Sequence, residues 1–157
     1  MERRDKINYY LDIAEAVTGR GTCLRRNFGA VIVKNDTIIS TGYVGAPRGR
    51  ANCNELHYCT REKLQVPRGE RYELCRSVHA EANAITKVAK SNNSSLGATL
   101  YVTASPCIEC AKLIIQAGIR RVVYSENYRS VDGIELLQKA GIDVAFIELS
   151  ENQETKD

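Results

Sequence analysis

The feature that most constrains this chain is the alternation of two periodicities in its second half. Helical spacing over Val78–Lys90 gives way to a β-rich run at Thr99–Thr103, then a helical pattern at Cys107–Ala117, a strand at Arg121–Tyr124, a helix at Val131–Ala140 and a strand at Asp143–Ile147. Strands separated by helical stretches of roughly 10–15 residues return as right-handed crossovers to parallel neighbours. Upstream, Ile7, Leu11, Ala14 and Val17 recur at helical spacing within Asp5–Thr18, a pattern that stops at Gly19 and Gly21. Two β-rich runs, 28–34 and 37–43, flank Asn35-Asp36, a tight-hairpin signal that makes them antiparallel. The pattern therefore predicts an α/β fold in three α/β/α layers, a mixed sheet of about five strands with helices on both faces.

Between these halves, residues 44–76 form a long stretch rich in Gly, Pro, Arg and Asn, without a sustained period and with three cysteines. A loop of this length within a compact domain is usually functional. One domain is expected over residues 1–150, since 157 residues with 43% hydrophobic side chains suffice for a single core. The remaining 151–157 read as a polar tail. The net charge of +3 is too small for a duplex-binding stripe, and no basic, aromatic-interleaved groove for a single strand is evident, so no nucleic acid partner is expected. No apolar stretch approaches the ~20 residues of a membrane span, so no membrane association is expected. Met1–Lys6 leads into the first helix without a signal-peptide apolar region, and the expected compartment is the cytoplasm.

A reducing cytosol argues against disulfides among the six cysteines, leaving metal ligation, catalysis or buried thiols. Cys107 and Cys110, after Pro106, place two thiols three residues apart on the first turn of a helix, where helix amides and the macrodipole favour thiolate. A lone Cys-x-x-Cys is also consistent with a redox pair or with two small buried side chains. The start of another helix supplies His79, and one imidazole with two thiolates balances Zn²⁺ while leaving a fourth position for water, as in catalytic zinc sites. Glu81, two residues on, is placed to move protons without ligating the ion.

His79-x-Glu81 followed by Pro106-Cys107-x-x-Cys110 is the signature of zinc nucleobase deaminases, with the glutamate as general acid/base. Together with His-Ala-Glu-Ala-Asn-Ala-Ile, Leu-Tyr-Val-Thr-Ala-Ser-Pro-Cys-Ile-Glu-Cys-Ala-Lys, the Ile-Gln-Ala-Gly-Ile run and the early Phe-Gly-Ala-Val-Ile-Val, it makes residues 5 to 148 resemble the deoxycytidylate deaminase family. The resemblance implies a cytidine deaminase-like fold, conversion of dCMP to dUMP and ammonia ahead of thymidylate synthesis, a homo-oligomer, often a hexamer, and dCTP and dTTP as effectors. It further implies that the Ala80 amide and a carbonyl near Ser105 hold the pyrimidine edge.

Cys23, Cys53, Cys59 and Cys75, separated by 29, 5 and 15 residues, lack a paired knuckle. A metal clip would organise the long loop, and the positions resemble those of a second, structural zinc in some family members. His57 is the alternative to Cys59, and buried free thiols are the alternative to a metal. For the phosphate the resemblance points to Arg25 or Arg26, with Tyr128 assisting. One departure stands out: the family's Gly-Tyr-Asn-Gly-x-Pro is Gly42-Tyr43-Val44-Gly45-Ala46-Pro47 here. Val44 cannot form the hydrogen bonds of an asparagine, so another cytosine compound, such as CMP, cytidine or a modified cytosine nucleotide, is the alternative substrate. A non-catalytic zinc-stabilised module is the alternative from a different class.

Overall fold

Asn35 and Asp36 take φ of 51° and 59°, the left-handed pair that lets a two-residue turn follow the twist of its strands. In the computed structural model, which describes residues 2–128 and 130–149, this turn joins β1 (Gly29–Lys34) to β2 (Thr37–Tyr43). The polar tail expected at 151–157 lies outside the described residues. With β3 (Thr99–Val102), β4 (Arg121–Tyr124) and β5 (Asp143–Phe146), the strands form a five-stranded sheet in the order β2-β1-β3-β4-β5. β1 is antiparallel to both β2 and β3, while β3, β4 and β5 run parallel, so the sheet is mixed.

Because β3, β4 and β5 advance in one direction, successive right-handed crossovers put their helices on the same face. There α4 (Ala80–Ala89), α5 (Ile108–Gln116) and α6 (Asp132–Lys139) bury Ala84, Val88, Ile114 and Leu137 against Ile32, Leu100, Val102 and Val122. The opposite face holds α1 (Lys6–Val17), whose start is capped by Asp5 accepting from the Asn8 amide, and whose Tyr10, Leu11 and Ala14 cover Val31, Val33, Tyr101 and Val123. Among the described residues no helix is long and apolar enough to cross a membrane.

Small residues set the position of α4. A Cβ on Gly42 of β2 would lie 2.2 Å from the Ala80 carbonyl oxygen, so strand and helix backbones meet directly. Asn83 Nδ2 donates to the Tyr43 carbonyl at 2.7 Å, and Gly45 exchanges backbone hydrogen bonds with Val78 at 3.2 and 2.7 Å. The residue before His79 is thereby paired to the start of the long loop.

That loop is more ordered than its composition suggests. It contains two single-turn helices, α2 (Cys53–Leu56) and α3 (Thr60–Lys63), and a 3₁₀ turn at Tyr72–Leu74. Four residues are too few to show a helical period. The Asn52-x-x-Glu55 pattern is nonetheless a capping box, and both reciprocal hydrogen bonds form around α2.

Candidate active site

His79 and Cys107 occupy equivalent places, each the extended residue immediately before a helix, with φ/ψ of −68°/155° and −74°/170°. Neither side chain caps its own helix, which leaves both to face the space between the starts of α4 and α5. Cys110 reaches the same space from the first turn of α5. His79 Nδ1 lies 3.5 Å from Cys107 Sγ and 3.5 Å from Cys110 Sγ, and all three atoms are within 4.8 Å of one another. A tetrahedral zinc bonded at ~2.0–2.1 Å to nitrogen and ~2.3 Å to sulfur holds those atoms about 3.6 Å apart, so the donor set fits this metal.

The electrostatics agree. The hydrogen bond from Cys110 is the strongest influence on Cys107; with His79 adding to it and burial opposing it, the Cys107 thiol is lowered to about 3. Burial disfavours a charged His79, but hydrogen bonds to Cys107 and Cys75 and the charge of Glu81 outweigh it and raise the imidazole to about 9. The site is thus built to hold anionic sulfur, and a cation shared among three ligands is its natural complement. Glu81 is fully buried on α4, close enough to act on His79 and outside the three-atom donor group.

The second cysteine set is arranged differently. Cys23, Cys53, Cys59 and Cys75 are all free thiols and line one cavity together with His79, Arg25, Arg26 and Tyr128. Among the described residues only His79, Cys107 and Cys110 reach the mutual spacing of a metal set, so the four thiols converge without closing. Burial raises the Cys53 thiol, and the charges of Cys23, Cys59 and Cys75 act in the same direction. His57 is exposed at the end of α2 with φ of 63° and does not line the cavity, whereas Cys59 does.

Arg25 lies 3.3 Å from Glu62, and Arg26 lies 2.6 Å from Glu126. The Arg26 guanidinium also stacks 4.5 Å over the Tyr128 ring. Tyr128 donates its amide to Ser105 Oγ at 3.2 Å, and Ser105 is 2% exposed. Ala80 is buried at the first position of α4, where a helix amide has no intrahelical acceptor. Val44 is buried in the core beneath α4 and also lines the cavity.

Tyr72 and Arg61 of the long loop carry no signal in the sequence, and Arg76 reads there only as one of several loop arginines. Tyr72 meets the His79 ring edge-on at 5.6 Å, Arg61 lies 4.5 Å over the Tyr72 ring, and Arg76 donates to the Ala51 carbonyl at 2.5 Å. Charged and aromatic residues in an aperiodic loop read as solvated surface, and only the folded loop brings Tyr72 against His79 and Arg61 over Tyr72.

A buried His/Cys/Cys donor set at two helix starts, beside a buried carboxylate and on a mixed α/β/α sheet, defines a zinc-binding α/β protein. The chain belongs to the cytidine and deoxycytidylate deaminase zinc-binding family, whose model matches residues 4–126. It is 43% identical over 132 residues to the deoxycytidylate deaminase of Mycobacterium phage D29, covering 81% of this chain and 99% of that one. It is 36% identical to the deoxycytidylate deaminase of Schizosaccharomyces pombe over 86% of this chain, and spans 42% of that longer protein. Among solved structures, the dCMP deaminase of cyanophage S-TIM5 in complex with dCMP and dUMP superposes with a TM-score of 0.75 at 34% identity, covering 93% of this chain and all of that one.

Proposed function

We propose that this chain is a zinc-dependent deoxycytidylate deaminase, converting dCMP and water to dUMP and ammonia within one catalytic domain over residues 1–150. The observation that carries the reading is the fully buried Glu81 beside the His79/Cys107/Cys110 donor set, of which His79 lines an arginine-rich cavity. When bound by these three residues, zinc supplies a Lewis acid able to bring the pKa of water to ~7. Glu81 takes a proton from the attacking water and delivers it to N3 as oxygen adds to C4. It then carries the remaining hydroxyl proton to the exocyclic amine, and the C–N bond breaks to release ammonia and leave the uracil carbonyl. The Ala80 amide and a carbonyl near Ser105 hold the base edge, and Arg25, Arg26 and Tyr128 line the cavity where the remainder of the nucleotide lies.

The proposal extends to a structural zinc held by Cys23, Cys53, Cys59 and Cys75. Their shared cavity and the exposure of His57 support Cys59 as the fourth ligand. It extends also to a homo-oligomer, hexameric in form, and to dCTP and dTTP as effectors. A separate polar cleft, lined by Arg20, Arg48, Lys87 and Lys90 around Tyr43, supports an effector carrying several phosphates. The six free thiols support a reducing, cytoplasmic setting.

One observation favours a second substrate. Val44 presents an apolar, buried side chain where the resemblance places an asparagine, which supports CMP, cytidine or a modified cytosine nucleotide as alternatives. The deciding experiment measures ammonia release by zinc-quantified protein offered dCMP, CMP, dCTP, deoxycytidine and cytidine, with Glu81→Ala as control. Glu81-dependent turnover of dCMP is expected. Turnover of a different cytosine compound moves the substrate, and no turnover of any of them, with or without dCTP as activator, overturns the deaminase reading.

A further inference from the structure

Arg61 occupies an unusual place for a cation. It belongs to the single-turn helix α3, in a loop that reads as surface, yet the residue is only 7% exposed. Its Nη1 donates to the Glu70 carbonyl at 2.8 Å, its guanidinium lies over Tyr72, and its Nε is buried with no hydrogen-bond partner among the described residues. Among the described residues no carboxylate lies within 4.0 Å of it. Removing a charge from water without a counter-ion is expensive, so a buried guanidinium satisfied only by one carbonyl and a ring face is held at a cost to stability.

The surroundings say what would complete it. Among the described residues, the cavity lining contains four arginines and no aspartate or glutamate. Arg25 and Arg26 already have carboxylates, Glu62 and Glu126. Arg61 and Arg76 do not, each donating to a backbone carbonyl instead. The same Tyr72 ring touches both Arg61 and His79, so one aromatic ring links Arg61 to the donor set. A phosphate monoester matches the fork of a guanidinium and its double charge matches two of them.

We propose that Arg61, supported by Arg76, binds the 5′-phosphate of the nucleotide, so that the 44–76 loop sets the preference for a monophosphate over a nucleoside. This rests on the deaminase reading for the identity of the substrate. Arg25 and Arg26 then act as neutralised walls of the cavity, with Arg26 packing Tyr128 into place.

The test uses full-length, zinc-loaded wild type, Arg61→Gln, Arg61→Lys and Arg76→Gln. It measures calorimetric affinity for dUMP and for deoxyuridine, together with kcat and KM for dCMP and deoxycytidine. Losing one charge-assisted contact should weaken dUMP binding and lower kcat/KM for dCMP by about 10- to 150-fold through KM, leaving the two nucleosides within about 2-fold. Arg61→Lys, which keeps the charge without the fork, should fall between, and it carries the test if Arg61→Gln does not fold. Equal losses on nucleotide and nucleoside, unchanged dUMP affinity, or loss of zinc in step with affinity would overturn the proposal; the last would make Arg61 a counter-ion to the neighbouring thiolates. Binding needs no turnover, so Arg61-dependent preference for dUMP in a chain that deaminates nothing keeps the phosphate site and sinks the deaminase reading. Deamination of dCMP without that preference does the reverse.

Discussion

Gly133→Ala tests whether the metal set depends on contacts from outside its own helices. A Cβ at Gly133 of α6 would lie 2.2 Å from the Pro106 carbonyl oxygen and 3.0 Å from the Cys107 carbonyl carbon and oxygen. Ordinary contact begins near 3.4 Å, so α6 and the turn carrying Cys107 must part by about 1 Å. Both encroached groups are backbone and cannot swing aside as a long side chain can. Overpacking of this kind costs about 1–3 kcal/mol, of which alanine's helix preference over glycine returns about 1. The net, about 0–2 kcal/mol, lowers Tm by no more than about 8 °C in a chain of this size. Metal ligation is far less tolerant, since ligand distances hold to within about 0.2 Å and a 1 Å misplacement near reacting groups lowers rates by about 100-fold. The expected outcome is a folded protein with reduced zinc per chain and turnover down by about two orders of magnitude, read by elemental analysis, thermal melts and ammonia release. Gly19→Ala is the control, because nothing lies within 4 Å of its added methyl. Full zinc content with kcat within about 2-fold of wild type in Gly133→Ala would refute the reasoning.

Glu81→Gln preserves the volume of a fully buried side chain and removes only its proton chemistry. It should retain zinc and Tm while turnover falls by at least about 10²- to 10⁴-fold; loss of zinc instead would make Glu81 a ligand. Chelation should abolish turnover, with zinc alone restoring it. Because the metal binds the folded state, zinc at about 100 times its Kd should raise stability by about 2.7 kcal/mol, and a melt indifferent to zinc would contradict a metal set joining α4 to α5. At the remote end of the sheet, the Tyr10 phenol donates to Asp36, and this bond together with burial raises it to about 12. The folded state thus holds that proton more tightly than the unfolded state, a contribution complete below pH 10 and lost as pH rises from 10 to about 12. Absorbance titration of wild type against Tyr10→Phe should show the late-ionising phenol, and Tyr10→Phe should lose stability less steeply over that window; parallel curves would contradict it.

The parts of this molecule written in its sequence are those in which local chemistry and global position coincide. β4 shows as the apolar pair Val122-Val123, buried on the two faces of the sheet, and α4 to α6 follow helical spacing because each buries a single face against it. His79 and Cys107 are readable for the same reason. A helix start is a local event, and two of them following strand or loop signals place their first side chains at the same end of the layers. The long loop obeys a different logic. Its helices are one turn each, so capping rather than periodicity announces them, and Asn52-x-x-Glu55 is the one such signal within it.

The arginines show where local reading stops. Arg25 and Arg26 look like the available cations because they stand just before the first strand, yet Arg26 finds its carboxylate 100 residues away at Glu126. Arg61 looks solvated because Thr60–Lys63 is polar, yet the fold buries it over Tyr72. Whether a charge is free depends on partners brought together only by tertiary structure, and neither spacing nor composition records that. The donor set for zinc is therefore carried by motif, while the charge that selects a substrate is carried by the loop's fold. Within this architecture, substitutions in the 44–76 loop can change the ligand while the helix starts at His79 and Cys107 stay as they are.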